Sequence, residues 1–235
     1  MKIQDVCESA RHVTAITQRL VAGDMNLTVG DSFDEFAEII ATHRSEQPLS
    51  PPFDPRRSFL PKTNVIWVVG RGKDGRVLHT QALRLLDLCG QTLGAYLSQR
   101  FVDFPPGGVD LDLERSWFQP GPGAAMITGR VAYHGEMWLA DDPAYRGRGL
   151  IDLLARYAFM MAMLHWDPDH LFGFIKRPTA RRGLAEREGY MHSDPYCLNW
   201  AVQGQEAQIA CNMVWMAQRD LCHVMHVPLD PDHAG

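Results

Sequence analysis

Pro143-Ala144-Tyr145-Arg146-Gly147-Arg148-Gly149-Leu150 is the stretch that decides how this 235-residue chain is read. An extended apolar segment, 126–140, runs into it. An amphipathic pattern leaves it, with Ile151, Leu154, Ala158, Met161 and Leu164 spaced by three and four residues, as one face of a helix requires. A strand that feeds a glycine-rich turn and opens a helix gathers unpaired backbone N–H groups and the positive end of the helix dipole at one point. Such a point suits a phosphate group.

Downstream of the helix, expected over about 147–165, the pattern predicts a strand at 170–175, a helix at about 179–188 and a strand at about 196–203. Residues 210–216 read as a last strand or a helix, with strand preferred because Gly204 sits where a hairpin turns. Upstream, Asp74-Gly75 separates two strand-like runs, 64–69 and 77–83, and predicts a hairpin. Helices are expected over 5–21, from the capping-box pattern Ser32-x-x-Glu35 onward, and over 91–101. Pro48, Pro51, Pro52, Pro55 and Pro61 make a connection of the intervening stretch. Phe104-Pro105-Pro106-Gly107-Gly108 and Gln119-Pro120-Gly121-Pro122-Gly123 bracket an acidic insertion at about 102–125. Strands alternating with helices after a hairpin predict a mixed α/β sheet.

A content of 46% hydrophobic and 22% charged residues fits one sizeable core. Residues 1–61 are expected to pack as N-terminal helices and connection on a core of 62–235, a single domain overall. The net charge of −5 argues against nucleic acid as the main partner. No apolar run approaches the ~18 residues of a membrane span, and the N-terminus lacks a secretory signal. The five cysteines are scattered with no Cys-x-x-Cys pair, so they read as reduced thiols of a cytoplasmic protein rather than as disulfides or a zinc site.

Over about 62–216 the chain resembles the GNAT superfamily of acyl-CoA-dependent N-acyltransferases. The family signature Gln/Arg-x-x-Gly-x-Gly/Ala is similar to Arg146-Gly147-Arg148-Gly149-Leu150-Ile151, preceded as in the family by Pro143-Ala144-Tyr145. Leu184-Ala185-Glu186-Arg187-Glu188-Gly189-Tyr190 is similar to its Leu-Tyr-Glu-Lys-x-Gly-Phe. The resemblance implies a mostly antiparallel twisted sheet flanked by helices. It also implies acetyl-CoA as co-substrate, with no metal, and direct attack by the amine of a small molecule or peptide. In the family, the strand before the glycine turn parts from the next strand and pantetheine lies in the gap. By that likeness Leu139, Ala140 and Asp141 line the pantetheine, and Arg146, Gly147, Arg148, Gly149, Leu150 and Ile151 surround the diphosphate.

The chain departs from the family pattern in three places. Ile151 replaces a small residue, Ala185 stands where a tyrosine often protonates the thiolate, and Glu136 is one residue out of phase with the usual base carboxylate. Alternation puts His134 and Glu136 on one strand face, where such a pair suits proton removal from an amine. Tyr190 is the candidate acid on the sulfur side. Two other readings stay open: a synthase of longer-chain N-acyl amino acids or acyl-homoserine lactones, and a CoA-binding module without catalysis. The oligomeric state is also open, a homodimer included.

Overall fold

A computed structural model describes residues 3–145 and 147–229. Its frame is one eight-stranded sheet. In spatial order the strands are β1 (Met25–Gly30), β2 (Val65–Gly72), β3 (Val77–Asp87), β5 (Arg130–Leu139), β6 (His170–Lys176), β8 (Gln208–Ala217), β7 (His192–Val202) and β4 (Leu111–Phe118). Neighbours run antiparallel throughout, except β5 and β6, which are parallel. The mixed, mostly antiparallel sheet is therefore present, and 208–217 is a strand.

Helices cover both faces. On one side lie α1 (Ile3–Ala22), α5 (Leu150–Trp166) and α8 (Gln218–His226), with the short α6 (Arg177–Ala180) and α7 (Leu184–Arg187). On the other lie α2 (Phe33–His43), residues 46–62, α3 (Leu93–Arg100) and α4 (Pro122–Met126). Helix α5 is apolar almost all round because it is sandwiched between the sheet and helices α1 and α8. The second face is glued by rings: Phe53 stacks between Phe33 and Tyr133, at 5.7 and 5.3 Å between centroids.

Several elements differ from the sequence reading for local reasons. Edge strand β1 has no clean alternation of buried and exposed residues, so periodicity does not reveal it. Its Gly30 is required, since a Cβ there would lie 2.1 Å from the Trp67 ring. Strand β4 lies in the acidic insertion, also at an edge, with its register broken between Asp112 and Trp117. The apolar run from Met126 does not start a strand: Met126 ends α4, Gly129 turns with φ 85°, and β5 begins at Arg130. The helix expected over 179–188 is split by Gly183 at φ 77°.

Candidate active site

The one parallel pair is short. Strands β5 and β6 are laddered only from Val131↔His170 to His134↔Gly173. Beyond that, β5 continues to Leu139 on β3, and β6 continues to Lys176 on β8. The two halves of the sheet part there, around a cavity of about 310 Å³. Its apex is Gly173, where a Cβ would lie 2.9 Å from the Tyr190 hydroxyl and 3.0 Å from the His134 carbonyl.

One wall is a chain of hydrogen bonds. The Gln81 amide Nε2 donates to the Leu154 carbonyl at 2.8 Å, which turns its Oε1 toward His134 Nε2 at 3.1 Å. His134 therefore carries its proton on Nε2, and Nδ1 accepts from the Tyr190 hydroxyl at 2.9 Å. Burial pulls His134 down to about 4 and pushes Tyr190 well above its ordinary range. At neutral pH the pair is uncharged.

Glu188 lines the same cavity and is only 3% exposed. No side-chain hydrogen bond or ion pair engages its carboxyl among the described residues. Burial raises its pKa to about 7, Arg187 opposing weakly. It is the cap residue of α7, and Gly189 at φ 86° then turns the chain into Tyr190, whose N–H returns to the Ala185 carbonyl at 2.9 Å. Sequence reading passed over this residue because it fills the variable position of the family motif; the glycine after it was the available signal.

Glu136 sits differently from the alternation reading. Two β5 residues, Glu136 and Met137, stand opposite Gln81 alone between Ala82↔Gly135 and Thr80↔Trp138. This bulge, with Glu136 at φ 57°, reverses the side-chain direction. His134 meets Phe159 of α5, at 5.5 Å between centroids, whereas Glu136 meets the connection on the opposite face. The two do not form a pair. Glu136 accepts from Ser50 N–H at 2.9 Å, from the Ser50 hydroxyl and from the Arg44 guanidinium. Arg44, at the end of α2, also donates to Gln47 O and Thr80 Oγ1, each at 2.8 Å. Both side chains are nearly inaccessible, at 3% and 5%. The carboxylate is thus fully occupied, and the arrangement ties residues 44–50 across the cavity.

The glycine turn lies at the far end of β5. Arg146 is outside the described residues. Asp142 caps the turn: its carboxylate accepts from Ala144 N–H at 2.9 Å and from Arg76. Tyr145 donates to Asp24 O at 3.4 Å, and the Arg148 guanidinium stands 5.9 Å over its ring. Gly147 at φ 74° has no atom within 4 Å of where a Cβ would be. Gly149, at φ 65°, begins α5 without a side-chain cap, so the first N–H groups of a 17-residue helix face the open turn. Leu150 is buried, Ile151 and Gly149 half-buried, Arg148 exposed. Leu139 and Ala140 pack against the α5 side of the core, and the Ala140 N–H is spent on Leu78 O at 2.7 Å. Asp141 is exposed.

Among the described residues, no group of three or more His, Cys, Asp or Glu is arranged to hold a metal ion, and no helix is long and apolar enough to cross a membrane. No family model and no curated protein matches the chain. Solved structures do. Arabidopsis thaliana NAA60 in complex with acetyl-CoA is similar at 7% identity and a TM-score of 0.49, over 82% of this chain and 98% of that one. A spermidine N-acetyltransferase SpeG chimera from Vibrio cholerae and hSSAT gives 11% and 0.49, over 84% and 98%. A putative acetyltransferase from Acinetobacter baylyi gives 13% and 0.48, over 82% and 93%.

Proposed function

We propose that the protein transfers an acetyl group from acetyl-CoA to a primary amine by direct attack in a ternary complex. The observation that carries this is the parting of β5 from β6 upstream of an uncapped helix N-terminus. A CoA thioester has the matching shape: a diphosphate for the α5 N–H groups and an extended arm with amides for the unladdered β5 edge. Its thioester then reaches the apex, where the amine arrives from the opposite face.

Bond changes follow simply. The amine nitrogen adds to the thioester carbonyl, backbone N–H groups of the open β5 edge hold the oxyanion, and the C–S bond breaks. The nitrogen loses one proton to water. Sulfur takes a proton from Glu188, a far stronger acid than Tyr190, whose proton is engaged with His134. Tyr190, His134 and Gln81 hold the wall in place, and Glu136 with Arg44 holds the acceptor side.

A thermal-shift titration with acetyl-CoA, longer acyl-CoAs and ATP, repeated on Gly149→Trp, tests the reading. Acetyl-CoA at a hundredfold excess over its Kd stabilises by about 2.7 kcal/mol, roughly 5–10 °C for a chain of this size. The variant loses that shift. An equal response to ATP, or no response to any thioester, defeats the reading.

A further inference from the structure

A second and larger groove, about 830 Å³, adjoins the cleft. Phe104, Pro105 and Pro106 line both, so the groove and the cleft meet along this segment. Three arginines reach the groove: Arg57, Arg84 and Arg100. Two already have acids, Arg57 at 3.9 Å from Asp54 and Arg100 at 3.3 Å from Asp103. Arg84 is different. It is half-buried on β3, donates to the Pro52 carbonyl at 3.1 Å, and forms no ion pair among the described residues. Burial lowers its pKa, which Tyr96, Asp103 and Tyr133 oppose less strongly. A cation withdrawn from water without an acid beside it is unfavourable unless a ligand completes it.

Two further facts point to the ligand. Arg84 lies directly opposite Tyr133 in the β3–β5 register, and Tyr133 lines the cleft, so the guanidinium starts one strand from the reacting region. The rim of the groove also gathers exposed apolar side chains: Phe59 at 88%, Leu113 at 50% and Val102 at 39%. An arginine fork suits a carboxylate, and the rim suits an apolar body.

We propose that this groove is the outer part of the acceptor site, that Arg84 binds a carboxylate there, and that the acceptor is an amino acid with an apolar side chain. The inference rests on the acyl-transfer reading, since the amine must reach the cleft while the carboxylate rests on Arg84.

Calorimetric titration with N-acetyl-phenylalanine and N-acetyl-leucine, each against its carboxamide, tests it without catalysis. The acids bind about tenfold tighter than the amides or better, as a charge-assisted pair demands. Arg84→Met brings the ratio close to one, Arg84→Lys restores part of it, and acetyl-CoA stabilises both variants as before. Equal affinity for acid and amide in the unaltered protein overturns the proposal. So does failure of both to bind, or a preference that survives in folded Arg84→Met. Should Arg84→Met not fold, the unaltered protein and Arg84→Lys decide. Acid binding without any acetyl-CoA response upholds the subsite and defeats the transfer reading; the reverse pattern upholds transfer and defeats the subsite.

Discussion

Glu188 brings a carboxyl into a wall whose other polar atoms are already committed to one another. Desolvation favours its neutral form and raises its pKa to about 7. With Glu188 as the proposed proton donor to sulfur, activity should fall as pH rises through about 7. Glu188→Gln should lower kcat by about 10²-fold or more, flatten the fall above pH 7, and leave the acetyl-CoA thermal shift intact. Activity within a few-fold of the parent, with the same pH profile, would remove Glu188 from the reaction. Gly173 shows the same dependence on close approach. Its missing Cβ leaves room for the Tyr190 hydroxyl, so no larger residue fits the apex without moving that ring or the backbone of β5.

Among elements, the bulge in β5 and the connection it grips shape one side of the cleft. Arg44 and Glu136 are buried together, so removing one leaves the other charged and unpaired. Arg44→Met should cost about 3–5 kcal/mol in urea unfolding, and adding Glu136→Gln should recover much of it. A single variant as stable as the parent would mean the pair holds nothing. The hairpin at Gly75 and the strand, turn and helix through 130–166 were legible, because periodicity and glycines mark them, whereas 210–216 stayed open between strand and helix. The face of Glu136 was not legible: one extra residue in a strand leaves no mark on alternation and inverts the side chain. Nor was the role of Arg44, which ends a helix 92 positions from its partner. Edge strands β1 and β4 escaped because an edge needs no alternating face.

At the scale of the whole molecule, the sheet buries two histidines on the α1 and α5 side, and both resist protonation. His79 gives its Nδ1 proton to the Trp138 carbonyl at 2.7 Å, and among the described residues its Nε2 has no partner. A second proton would place a charge in an apolar layer, so its pKa falls to about 3, chiefly by desolvation. His134 falls to about 4 for the same reason. In the unfolded chain both titrate near 6.5. Between that value and their folded values the unfolded state therefore binds more protons, and stability is lost as pH drops. Glu188 acts in the opposite sense, since its folded pKa is raised; its contribution is present at low pH and lost as pH rises from about 4.5 through 7. Each unit of difference is worth about 1.4 kcal/mol, so the two histidines outweigh the one acid on the scale of a whole domain's ~5–15 kcal/mol. The midpoint of thermal unfolding should fall steadily from pH 6.5 to pH 4, and His79→Leu should make that fall shallower while leaving the acetyl-CoA shift at pH 7 in place. A midpoint that holds level across this range in the parent would show that these imidazoles are not buried neutral.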